Sequence, residues 1–294
     1  MSARAKVRDT RKVQNRNRTV PVVAVLLSLA FGLLAWWAFA GNRSGTSLGQ
    51  LGGDFHALHV ASDGRVIYGQ HAGIQISTDG GESWTQPSGT GDAMAISASV
   101  AQPATLYQAG HDLFLKSTDG GETWSEPGFG NLPGTDIHGF TVASESGWLY
   151  ANIAGQGLYR SENEGESWEF VTSAAAGAMT LAAGPGSPAI LYALTMDQGL
   201  IRSDDGGNSW QSTASVPGMS MSGLYVHPAG GNLYATGQEG VYLSTNQGES
   251  WTALGPDEPM ALVAADSGDE TTLIAVAQGG QVYRSDNGGE TWLR

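Results

Sequence analysis

The sequence predicts an all-β protein, a six-bladed β-propeller of four-stranded repeats preceded by one N-terminal transmembrane helix. Three observations predict it. The pattern S-x-(D/N)-x-G-x-(S/T)-W occurs six times, at 77–84, 117–124, 161–168, 203–210, 244–251 and 285–292. Its tryptophans, Trp84, Trp124, Trp168, Trp210, Trp251 and Trp292, fall 40, 44, 42, 41 and 41 residues apart, a propeller-blade period. Before the repeats, residues 19–40 form a run of 22 uncharged, mostly apolar residues.

Taken in order, residues 1–18 are a basic tail. Residues 1–43 hold eight Lys and Arg against the single Asp9, whereas the rest of the chain holds 6 basic and 27 acidic residues. As a helix, 19–40 would be roughly 33 Å long, enough to span a bilayer. Pro21 falls in its first turn, where a missing N–H costs little, and Trp36 and Trp37 sit near its far end, where an interfacial aromatic belt belongs. The positive-inside rule then places the N-terminus in the cytoplasm and the propeller outside, on a single-pass anchor in the cell membrane. A competing reading is a signal peptide cleaved near Ala40, with secretion of the remainder. Residues 41–53 are Gly/Ser-rich and read as a tether.

The propeller is expected over 54–294. Each unit shows three short apolar runs before the repeated pattern and one after it. In the second unit these are 93–97, 105–109, 113–116 and 124–126; in the third, 139–143, 148–153, 158–160 and 168–171. The last unit has 260–264, 272–277, 282–284 and a clipped 292–294, so residues 46–53 are candidates to complete the final blade. Tyr68, Tyr107, Tyr150, Tyr192 and Tyr234 recur in the second strand, with Ile274 in the sixth unit, and are expected in the core. Lys116, Arg160, Arg202 and Arg284 share the position before the pattern's serine, which marks a blade-edge feature rather than a convergent site.

Within the pattern, Asp79, Asp119 and Asp205 supply an oxygen that accepts backbone N–H groups and closes a turn. Asn163, Asn246 and Asn287 replace Asp in the other copies, a swap that a structural turn tolerates and a metal or acid–base site does not. The glycine two positions on is free to take positive φ, and the tryptophan re-enters a strand with a large apolar ring. The pattern resembles the Asp box, or BNR repeat, of sialidases, sortilin-type receptor domains and photosystem II assembly factors. The resemblance implies a propeller over 54–294 and leaves function open, because these families differ in what they do.

Box turns join the third and fourth strands, so the face opposite them is the expected working face. The innermost strands begin at His56, Met94, His138, Met179, Met221 (offset by one) and Met260, preceded at short distance by Asp54, Asp92, Asp136 and Glu258. On a closed ring these crowd the mouth of the central channel. Imidazole and thioether donors suit copper, so a metal, through His56 and His138 above all, or a small cationic ligand is one reading. The other is that the methionines fill the narrow inner core and the histidines bond to loops. His71, His111 and Asp112 are positioned to extend a site on that face. No cofactor is otherwise evident.

The segments 54–58 and 136–140 also resemble strand starts in a bacterial group of Asp-box proteins labelled glycosyl hydrolases. A sialidase-like site implies an arginine triad, a Tyr nucleophile with a Glu beside it, and an Asp acid. The propeller offers only Arg65, Arg160, Arg202, Arg284 and Arg294, three of them at the pre-box edge. The formal net charge of −14 argues against nucleic acid, and the absence of Cys excludes disulfides and thiolate chemistry. The expectation is a membrane-tethered extracytoplasmic module that binds or scaffolds a protein or glycan partner. The alternatives are a glycoside hydrolase and an assembly factor for a membrane complex.

Overall fold

The computed structural model describes residues 48–86, 91–216, 218–219 and 223–294. The expected tail at 1–18, the helix at 19–40 and most of the tether at 41–53 lie outside these residues. Among the described residues every regular element is a strand, and no helix is long and apolar enough to cross a membrane.

The first repeat unit contains β1 (Ala57–Val60), β2 (Val66–Gln70) and β3 (Gly73–Ser77), and the second β4 (Ala95–Ala98), β5 (Leu106–Gly110) and β6 (Leu113–Ser117). Four strands each make up the next three units. They are β7 (Ile137–Val142), β8 (Leu149–Ile153), β9 (Gly157–Ser161) and β10 (Glu169–Thr172); β11 (Ala178–Gly184), β12 (Ile190–Thr195), β13 (Gly199–Ser203) and β14 (Gln211–Ser212); then β15 (Leu224–Val226), β16 (Leu233–Gly237), β17 (Gly240–Ser244) and β18 (Thr252–Gly255). The last unit has β19 (Met260–Asp266), β20 (Asp269–Ala277) and β21 (Val282–Ser285).

The second strands are buried along their length for a reason. β2, β5, β8 and β16 are buried at every residue, because neighbouring sheets cover both faces. Their tyrosines are at most 2% exposed, and Ile274 is fully buried in the equivalent place.

Six separate four-stranded blades are not what forms. The described residues make five hydrogen-bonded sheets, because the first and last units merge into one six-stranded sheet ordered β21-β20-β19-β1-β2-β3. The seam is a parallel pairing of inner strands at Val60 and Asp266, with the Ser267 N–H donating to the Val60 carbonyl at 3.1 Å. In the second unit the fourth strand shrinks to a bridge between Lys116 and Ser125. The free edge of β21 is shared by both ends of the described chain, Gln50 bridging Gln281 and Leu293 bridging Arg284, with Leu48 and Leu51 buried beneath. The described part of 46–53 therefore reaches the last unit through the Gln50–Gln281 bridge, with the Leu51 N–H donating to the Gly280 carbonyl at 2.8 Å and the Val282 N–H to the Gly49 carbonyl at 3.3 Å. Inner strands β1, β4, β7, β11, β15 and β19 pack in succession and β19 returns to β1, closing the ring.

Box turns are built alike. In the second, Ser117 is 1% exposed; its hydroxyl donates to Asp119 Oδ1 at 2.7 Å and accepts the Gly121 N–H at 2.9 Å. Asp119 Oδ1 also accepts the Thr123 N–H at 2.9 Å. Asn163 keeps this geometry, accepting the Ser167 N–H at 2.9 Å and donating its own amide to the Ser167 hydroxyl at 2.9 Å, which explains the Asp/Asn exchange. Only Trp168 among the box tryptophans is fully buried; the other five are half-buried.

Candidate functional site

Three short segments and two hairpin turns converge on the face opposite the boxes. Asp54 and His56 precede β1, Asp92 and Met94 precede β4, and Asp136 and His138 straddle the start of β7, while His71 and His111 occupy the turns after β2 and β5. Backbone contacts hold these pieces together. The Ala93 N–H donates to the Gln70 carbonyl at 3.2 Å, and His111 bridges Asp136. Glycine is required where Gly110 meets this stretch, since a Cβ there would lie 1.7 Å from the Asp92 carbonyl oxygen.

Four imidazoles and three carboxylates form one continuous network. His71 Nδ1 lies 2.8 Å from both Asp54 Oδ2 and His56 Nε2, and His71 Nε2 lies 3.3 Å from Asp92 Oδ2. Asp92 Oδ2 is also 2.7 Å from His111 Nδ1. On the other side, His111 Nε2, His138 Nε2 and Asp136 Oδ1 stand 3.2, 3.2 and 3.1 Å apart around a triangle. Asp54, His56 and His71, and separately His111, Asp136 and His138, are thus two groups able to hold a metal ion. Asp92 joins them and is 7% exposed, whereas Asp54, His71, His111 and Asp136 are exposed to solvent. Burial lowers the His56 pKa, opposed by the Asp92 charge. Among the described residues, no Lys or Arg pairs with any of the three carboxylates.

The other residues singled out from sequence fall differently. Met94 and Met179 line a small cavity of about 70 Å³ in the channel mouth, with His56 and His138 at its rim. Met260 is not in the site; it is fully buried among Tyr234, Val241 and Val263, because the last unit's inner strand is covered where it begins. Met221 lies outside the described residues. Asp112 has a left-handed φ of 51° and accepts the Thr135 hydroxyl, so it shapes the β5–β6 turn without joining the network. His71 and Asp92 were the weakest signals, yet the repeats contain them: D-x-H at 54–56 and 136–138 aligns with D-x-M at 92–94, and both histidine turns follow a second strand.

The arginines do not converge. Arg65 pairs with Asp63 at 2.8 Å, Arg160 with Glu162 at 3.0 Å, Arg202 with Asp204 and Arg284 with Asp286 at 2.7 Å, each beside a box or the β1–β2 connection. Burial raises the phenol pKa of Tyr192 to about 12 and pushes those of Tyr68, Tyr225 and Tyr234 higher still, the opposite of an activated nucleophile. At the box end of the channel a second cavity of about 260 Å³ is lined mainly by apolar side chains, including Leu58, Ile96, Phe140 and Leu181.

The BNR/Asp-box repeat model matches residues 75–86 and 115–126. No curated protein matches the sequence. Among solved structures, the GH74 enzyme of Niastella koreensis is similar at 19% identity and a TM-score of 0.55, over 84% of this chain and 46% of that one. This chain therefore spans about half the length of that enzyme. YCF48 bound to a D1 peptide matches at 16% identity and a TM-score of 0.51, covering 84% of this chain and 83% of that one. A gluconolactonase from Xanthomonas campestris matches at 12% identity and a TM-score of 0.61, covering 83% and 92%. At these identities the likeness is one of fold.

Proposed function

We propose that this chain, an Asp-box β-propeller, is a binding module that works through the face opposite its boxes, and that its ligand is a cation. One observation carries the reading: three carboxylates and four imidazoles gather at the channel mouth with no Lys or Arg pairing to the carboxylates among the described residues. A site left this rich in acceptors favours positive charge and repels anions. The dispersed, paired arginines and the unactivated tyrosines count against sialidase-like hydrolysis. On the charge asymmetry of the N-terminal region we place the propeller outside the cytoplasm, tethered to the cell membrane through 19–40, where a protein or glycan partner carrying cationic groups would meet it. Resistance of the chain to alkaline extraction from membranes, with protease access from outside only, tests that placement.

The binding reading is tested by the thermal stability of the full chain against a ligand panel. Divalent metals, spermidine and a quaternary amine stand on one side, with neutral and anionic sugars on the other. Cations are expected to stabilise it, less so in Asp136→Asn. Stabilisation by the sugars alone would overturn the reading.

A further inference from the structure

We infer that the network holds two divalent transition-metal ions, one among Asp54, His56 and His71 and one among His111, Asp136 and His138, with Asp92 as the positioning carboxylate shared by both. The inference rests on the cation-binding reading above and narrows the ligand to metal.

The spacing of the donors is the first argument. Metal–nitrogen and metal–oxygen bonds of about 2.0–2.2 Å put neighbouring ligand atoms about 2.9–3.5 Å apart, depending on whether the geometry is octahedral or tetrahedral. The second group is a near-equilateral triangle with edges of 3.2, 3.2 and 3.1 Å. An ion bonded to its three corners would sit about 1 Å above their plane, leaving its remaining positions open. In the first group the two measured edges at His71 Nδ1 are both 2.8 Å, close to the octahedral value. Two histidines and one carboxylate on one side of an ion form a recognised ligand set for first-row metals.

Proton placement is the second argument. His111 Nδ1, 2.7 Å from Asp92 Oδ2, has a strong acceptor and carries its hydrogen there. In the neutral ring this leaves the Nε2 lone pair directed at His138 Nε2 and Asp136 Oδ1, itself a pure acceptor. His71 stands between two carboxylates, its Nδ1 2.8 Å from Asp54 Oδ2 and its Nε2 3.3 Å from Asp92 Oδ2, and the tautomer with its hydrogen on Nε2 leaves Nδ1 free to bind a metal. Acceptors pointed at one another repel unless a proton or a metal ion lies between them. A carboxylate that takes the hydrogen from the far nitrogen of a metal-binding histidine is the common way such rings are oriented; Asp92 is so placed for His111 at 2.7 Å and lies 3.3 Å from the far nitrogen of His71.

Asp92 itself supplies an independent observation. It is 7% exposed, and its Oδ1 is enclosed without a hydrogen-bond donor, 3.5 Å from His56 Nε2. A buried carboxylate oxygen without a partner is costly, and a cation in the first group would relieve it. Its place is held from both sides, because Gly110 and Gly69 let the 92–93 backbone press against the two turns that carry His111 and His71.

The test titrates the full chain, stripped by a chelator, with Zn(II) alone, reading bound metal per chain, affinity and the ring-nitrogen resonances of the histidines. Two ions per chain are expected, falling to one in both His56→Ala and His138→Ala. Asp92→Asn is expected to weaken both sites together by about 10–100-fold. It should also scramble the ring protonation of His71 and His111, while the metal-free chain unfolds at a temperature no lower than the parent's. Fewer than two ions in the parent, an unchanged count in either alanine variant, or an Asp92→Asn effect confined to one site overturns the inference. Response to the amines without Zn(II) binding would leave the cation-binding reading standing and remove this one; silence to both removes both.

Discussion

Replacing Trp168 by alanine should be the most damaging change among the six box tryptophans. Its ring is 4% exposed and packs edge-to-face on Phe114, with centroids 6.0 Å apart at 69°, and its Nε1–H donates to the Gly165 carbonyl at 3.1 Å. Asn131 grips the same residue's backbone, accepting its N–H at 2.6 Å and donating to its carbonyl at 2.9 Å. Truncating a buried tryptophan costs about 3–5 kcal/mol, and a half-buried one such as Trp292 loses about half of that. In a domain of this size each kcal/mol lowers the melting temperature by about 2–4 °C, so a cost of about 4 kcal/mol corresponds to about 8–16 °C. Urea titration and calorimetry of Trp168→Ala and Trp292→Ala in parallel give both quantities. If Trp168→Ala costs no more than Trp292→Ala, burial does not rank these positions and the reasoning fails.

Asn131→Ala should cost about 1–3 kcal/mol by equilibrium unfolding, since it strips two backbone partners from Trp168. His59 is buried and its pKa is lowered to about 4 by desolvation, with Asp63 and Arg65 nearby pulling in opposite directions. Below pH 6.5 the unfolded chain therefore binds a proton that the folded chain refuses, so stability falls from pH 6.5 to about 4 and levels off below. His59→Phe should remove about 3 kcal/mol of that fall, read as the difference between the two stability–pH curves. In the second box, hydrogen bonds from Thr123 and Ser117 depress the Asp119 pKa to about 2, a contribution present above the ordinary value of 3.8 and lost as pH drops through about 2. Asp119→Asn should leave stability at pH 7 nearly unchanged, as Asn163 does in the third box, and flatten the acid limb; a large loss at pH 7 would contradict the turn's account. Gly110→Ala should displace Asp92 and abolish cation-induced stabilisation while the far-ultraviolet spectrum stays that of a β protein.

Much of the architecture was legible because it is written in local chemistry. The box closes through hydrogen bonds spanning four residues, so Ser117, Asp119, Gly121 and Thr123 announce the turn without help from the rest of the chain. Strands on either side follow from short apolar runs, and β5, β8 and β21 begin within a residue of their expected starts. The D-x-H segments at 54–56 and 136–138 could likewise be singled out by residue type alone. Ring position could not. Sequence treats the six inner-strand starts as equivalent, yet His56, Met94, His138 and Met179 face the channel mouth while Met260 is fully buried. Nor does any local pattern show that the first and last units fuse into one sheet, or that Asp92 stands between His71 and His111. Those outcomes depend on contacts between residues far apart in the chain: Val60 with Asp266, and a glycine at 110 that lets one backbone press against another. The repeat and its turns are set by short-range hydrogen bonding and strand periodicity. Which of its exposed histidines meet a shared buried carboxylate is decided only when the ring closes and packing brings the loops together.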